Sequence, residues 1–224
     1  MVINFVISIT NNSWKYLKMS YSQEGEDLIL VNLFENKEKG FYIDVGAHHP
    51  FRFSNTYFFY KKGWRGINID AMPGSMKLFD KYRRRDINVE CGVSDKKEIL
   101  KYYEFNEPAL NGFSKQLSES RENSNGYKIV GCQNICLFPL NTILEKYLPK
   151  NQKIDFLTID IEGFEKDVFR KFDFKKYSPE IVIVEILDGL KDIEKNVIYK
   201  LLVSRKYYLF SSTGRTCFFK RKYD

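Results

Sequence analysis

Short runs of apolar and β-branched residues alternate along this chain with segments whose apolar residues recur at helical spacing. No other feature narrows the folding choices as much. A strand buried on both faces reads as a continuous apolar run, and a helix-length connection returns the chain to start a parallel neighbour. The predicted fold class is therefore α/β, a mostly parallel sheet wrapped by helices. Strands are predicted at 41–45, 66–70, 87–93, 154–160 and 181–187, and helices at 25–35, 55–62, 73–82, 141–147, 162–172 and 190–204. Ser54 is a candidate cap for the second helix, and Pro73 suits the first turn of the third. Residues 207–212 and 216–220 pair across Gly214 as a terminal antiparallel hairpin. The interval 98–140 breaks the alternation with Tyr102-Tyr103, Asn111-Gly112 and a polar run from Ser118 to Gly126. It reads as a short strand followed by a long mobile loop, of the kind that covers a substrate.

Length and composition bound the rest. A chain of 224 residues, 43% hydrophobic and 29% charged, fits one domain with a sizeable core. The net charge of +7 suits an anionic partner or a lysine-rich solvated surface. The clusters Lys81-Tyr82-Arg83-Arg84-Arg85 and Lys220-Arg221-Lys222 lack the interleaved aromatics of a nucleic-acid platform, so no nucleic acid is expected. Cys132 and Cys136 have no second Cys or His pair to complete a zinc site, since His48 and His49 are adjacent. Reduced thiols in a cytoplasmic enzyme account for the four cysteines. The apolar stretch 1–10 lacks a basic start and a cleavage site, so it reads as a strand, a dimer contact or a loose arm. No run is long enough for a transmembrane segment. A homo-oligomer remains open.

Candidate chemistry gathers at predicted strand ends, where open α/β sheets bind ligands. Gly46, in the turn Asp44-Val45-Gly46-Ala47, lets backbone approach a cofactor, and Asp44 can hold an ammonium or a water. Asp70 ends the second strand, where Rossmann-type domains place an acid on ribose hydroxyls; it can equally cap the helix opened by Pro73. Gly92 closes the third. Asp160, Glu162 and Glu185 stand at or near the ends of two adjacent core strands, where an unpartnered carboxylate is costly. A substrate hydroxyl, a nearby cation, or a Mg²⁺ or Mn²⁺ ion would satisfy them. Glu162 also fits a helix N-terminus. His49 is either a proton acceptor or a turn residue. The absence of G-x-G-x-x-G after Ile43 argues against an NAD-dependent oxidoreductase.

Four segments together resemble the FkbM family of S-adenosylmethionine-dependent O-methyltransferases. They are Ser22-Gln23-Glu24-Gly25-Glu26-Asp27, the stretch Phe41 to Pro50, Ser54-Asn55-Thr56, and Ile154 to Gly163. The resemblance implies a Rossmann-like class I methyltransferase fold over 1–224, with a seven-stranded, mostly parallel sheet and the C-terminal hairpin. Residues 1–20 would form an arm and 98–140 an insertion or lid. It implies cofactor contacts from Gln23, Asp44, Gly46, Asn55, Thr56, Asp70 and Gly92. It also implies catalysis by Asp160 with Glu185 or His49, and a small-molecule acceptor such as a nucleotide sugar, a polysaccharide precursor or another natural product. A non-catalytic nucleotide-sugar-binding module is the competing expectation. Two positions depart from the family pattern: Asp70 stands where many members have Glu, and Thr158 where many have Lys, so no role of that lysine carries over.

Overall fold

The computed structural model describes residues 17–122, 124–186 and 190–223. The expected N-terminal arm lies largely outside them, as does the last residue of the predicted strand 181–187. In chain order the strands are β1 (Phe41–Val45), β2 (Arg65–Asp70), β3 (Ile87–Glu90), β4 (Gly92–Ser94), β5 (Glu98–Phe105), β6 (Ile129–Pro139), β7 (Phe156–Ile159), β8 (Ile181–Glu185), β9 (Tyr207–Thr213) and β10 (Thr216–Arg221). The helices are α1 (Glu26–Leu33), α2 (Tyr57–Lys61), α3 (Met76–Tyr82), α4 (Lys115–Arg121), α5 (Leu140–Tyr147), α6 (Glu165–Lys171) and α7 (Val197–Ser204).

Seven strands form one sheet in the order β3-β2-β1-β7-β8-β10-β9. The five from β3 to β8 are parallel, and β10 runs antiparallel to both β8 and β9. This is the Rossmann-like methyltransferase arrangement. Alternate residues of each strand feed two cores. Ile43, Leu157, Val182 and Phe219 pack under α5, α6 and α7 on one face. Tyr42, Phe156, Ile183 and Phe218 pack with Leu30, Phe59 and Trp64 on the other. Both faces are covered, which is why these strands are apolar throughout. Strand order reverses between β1 and β7, so their carboxyl ends open a crevice.

Five stretches depart from the sequence expectation. The helix expected from Pro73 starts at Met76, and Pro73 lies in the turn that precedes it. The strand predicted at 87–93 divides at Cys91, whose N–H still donates to Asp70 O, after which Gly92 pairs with Leu137 in a second sheet. A Cβ on Gly92 would lie 2.6 Å from Leu137 Cγ, so glycine permits the crossing. The interval 98–140 is largely not a loop. β5 and β6 pair antiparallel from Glu98↔Leu137 to Phe105↔Ile129, and with β4 they make a three-stranded sheet, with α4 lying between β5 and β6 in sequence. The helix expected from residue 162 starts at Glu165, because Glu162 and Gly163 take left-handed backbone at φ 56 and 105. The helix expected over 190–204 divides at Asn196, whose Oδ1 accepts from the Ile198 and Tyr199 N–H groups and caps α7.

Candidate active site

A cleft of about 190 Å³ opens at the carboxyl ends of β1, β2 and β7 and extends to Glu185 at the end of β8. Gly46 lies on its wall at φ 82. Its N–H donates to Ile69 O, and a Cβ there would sit 1.7 Å from Asp160 O. Only glycine lets the strand ends close so tightly, a steric demand that comes from Asp160 of this chain. Asp70 is buried beside the cleft and accepts from the N–H groups of His48 and Met72, each at 2.8 Å. Burial raises its pKa against the pull of these two donors. Gly92 also lines the cleft, and Ile69, Ala71, Met72 and Val93 supply an apolar wall.

Asp44 and Thr56 do not line it. Thr56 Oγ1 donates to Asp44 Oδ2 at 2.7 Å, and both side chains are buried beneath the turn. Burial pushes Asp44 up to about 6. Arg83, fully buried, donates to Thr56 Oγ1, Tyr42 Oη, Pro50 O and Asp86 Oδ2 at 2.7–3.0 Å. This guanidinium, counted in the sequence as part of a basic cluster, ties the turn after β1 to the Ser54-Asn55-Thr56 segment and is closed to any external anion. Asn55 lines a smaller pocket of about 90 Å³, where its amide donates to Thr158 Oγ1 at 3.1 Å. Gln23 lines both cavities.

The three acids meet. Carboxylate oxygens of Asp160, Glu162 and Glu185 lie within 4.8 Å of one another. Glu162 is held by Arg121 of α4 at 2.7 Å. Burial, then Glu162 and Glu165, pushes Glu185 up to about 7. Asp160 is exposed to solvent at the floor of the cleft, and the surrounding protein, followed by the charge of Glu185, raises its pKa well above its ordinary value. No ion pair holds Asp160 or Glu185 among the described residues.

His49 lines neither cavity; its Nδ1 accepts from the N–H groups of Phe51 and Arg52, the turn role. His48 is the histidine of the cleft wall, and burial lowers its pKa to about 4, so it is neutral at pH 7. Sequence reasoning also missed Phe53, Arg121 and Arg215. His48, Phe53 and Glu162, at φ 55, 56 and 56, are cleft residues in left-handed backbone without being glycine. Such strain gathers where surrounding structure holds a site in shape.

Among the described residues, no helix is long and apolar enough to cross a membrane. No curated protein matches this chain. The family model described as "Methyltransferase FkbM domain" matches residues 44–207, which run from the Asp44 turn through Asp160 and Glu185 to the start of β9. With that match spanning most of its length, the chain belongs to the FkbM methyltransferase domain family.

Proposed function

We propose that the protein is an S-adenosylmethionine-dependent O-methyltransferase acting on a sugar hydroxyl, in a nucleotide-activated sugar or a cell-surface polysaccharide precursor. The observation that carries this reading is the meeting of Asp160 and Glu185 at the cleft floor, with Glu185 pushed up to about 7. A carboxylate in that range exchanges a proton with a hydroxyl efficiently near neutral pH.

The residues fit the cofactor. Ile69, Ala71, Met72 and Val93 suit an adenine, and Asp70, with lone pairs beyond its two backbone donors, suits ribose hydroxyls. Gly46, Gly92 and Gln23 would line its path, Asn55 stands in the adjoining smaller pocket instead, and Asp44 and Thr56 would act from beneath through the turn they fix. When bound, S-adenosylmethionine supplies a methyl group already made electrophilic by its sulfonium. The chain then has to align the acceptor oxygen, exclude water and take the hydroxyl proton. Glu185 accepts that proton at a carboxylate oxygen, and Asp160, coupled to it by charge, shares it. The unbridged cysteines favour a cytoplasmic setting.

The same carboxylates form an oxygen set that Mg²⁺ or Mn²⁺ can use. Incubation with methyl-labelled cofactor and a panel of activated and free sugars, followed by mass spectrometry with and without EDTA, tests the reading. A labelled sugar ether formed in EDTA supports proton transfer to Glu185. Activity lost to EDTA and restored by Mn²⁺ supports the metal. Cofactor binding with no labelled product supports the non-catalytic module.

A further inference from the structure

The smaller pocket adjoins the cleft and shares Gln23, Phe53, Asp160, Glu185 and Arg215 with it. It lies on the side of the carboxylate pair that Asp70 and Gly92 do not line. Apart from Phe53 its lining is polar or charged, built from the segment before α1, from Asn55 and from the β9–β10 turn. Glu26, buried there, accepts from Glu24 N at 2.8 Å and from Thr213 Oγ1 at 3.0 Å. Glu24 rests over Gly214, where a Cβ would come within 2.6 Å of its Oε2. No ion pair holds Glu24, Asp160, Glu185 or Arg215 among the described residues. Four acids, Glu24, Glu26, Asp160 and Glu185, thus face one guanidinium, and even with a proton shared between Asp160 and Glu185 the carboxylates outnumber the cation. Asn55, Thr216 and Gln23 add neutral donors and acceptors.

We propose that this pocket is the acceptor subsite and that its uncompensated carboxylates select a polyhydroxylated unit without negative charge, a neutral or amino sugar in preference to a uronic acid. The proposal rests on the methyltransferase reading above. A hydroxyl of a unit seated there reaches Asp160 and Glu185, because these two residues form the common wall of pocket and cleft. An anionic substituent in the same place meets like charge in a confined space. An ammonium meets the opposite sign. Negative charge elsewhere on the acceptor, such as a diphosphate, falls outside the pocket.

The test compares methyl glucoside, glucosamine and glucuronic acid as acceptors for the full chain, alongside calorimetric titration with S-adenosylhomocysteine, in wild type and in Glu24→Gln. The expected kcat/KM for the neutral and amino sugars exceeds that for the uronate by about tenfold or more. Glu24→Gln narrows that ratio by about threefold or more and leaves S-adenosylhomocysteine affinity unchanged. A uronate preferred by the wild type overturns the charge selection while leaving the methyltransferase reading intact. A variant that weakens S-adenosylhomocysteine binding without moving the sugar ratio assigns the pocket to the amino-acid end of the cofactor and overturns the proposal. Cofactor binding with no sugar methylated overturns the proposal together with the sugar reading.

Discussion

Arg83 shows how much of this site is made by a side chain that never reaches it. Its guanidinium and the Asp86 carboxylate are both wholly inaccessible, and together they anchor Tyr42, Thr56 and the Pro50 carbonyl. Removing one partner leaves a buried charge uncompensated, so Arg83→Met should cost about 3–5 kcal/mol in denaturant unfolding. A loss below about 1 kcal/mol would mean that the network does not hold the turn. Asp160 is the contrasting case, a residue whose main-chain oxygen demands Gly46 and whose side chain faces the cleft. Asp160→Asn keeps size and removes the titratable carboxyl proton. It should lower turnover by about two to four orders of magnitude with nearly unchanged S-adenosylhomocysteine affinity. Full turnover in Asp160→Asn would remove this side chain from proton handling. The carboxylates and Gly46 were legible in the sequence because strand ends are. The choice between His48 and His49 was not, since it depends on a left-handed turn that adjacent histidines do not announce.

At the scale of elements, the buried parallel strands were readable because covering both faces of a sheet forces unbroken apolar runs. β5 and β6 were hidden for the opposite reason. Their exposed positions carry Lys101, Gln133 and Asn134, and the polar run that drew attention starts inside α4, which holds residues 118–121. The inserted unit nevertheless touches the site through one ion pair, Arg121 with Glu162 at 2.7 Å, and through Leu110, Asn111 and Phe113 on the cleft wall. If it serves as the cover, hydrogen exchange in α4 and in residues 108–113 should slow when S-adenosylhomocysteine and an accepted sugar are both bound. Equal exchange with and without ligands would reduce the unit to a fixed wall.

The whole molecule buries acids at both ends of the sheet, Asp44 and Asp70 at the carboxyl ends of the strands and Asp86 and Asp155 at the amino ends, and protonation of Asp44 links stability to pH. Asp44 ionises near 3.8 in the unfolded chain and at about 6 in the native one. A raised native pKa means that the folded state binds the proton more tightly, so this contribution to stability is full below about pH 4 and lost as pH rises to about 6. The shift corresponds to about 3 kcal/mol for a group this deeply buried. Asp44→Asn keeps an acceptor for Thr56 and cannot ionise. Between pH 4 and pH 7.5 its unfolding free energy should therefore gain on wild type by up to about 3 kcal/mol, and a pH-independent gap would contradict the shift. The reversal of strand order between β1 and β7 puts Gly46, Asp70 and Asp160 around one crevice, and the central claim is that this crevice holds S-adenosylmethionine with Asp70 on its ribose. Calorimetric titration of wild type and Asp70→Ala with S-adenosylhomocysteine, and of wild type with NAD, tests that claim most directly. The account predicts binding of S-adenosylhomocysteine and not NAD, weakened by about 1–3 kcal/mol in Asp70→Ala. No binding to wild type, or equal affinity in both proteins, would contradict it.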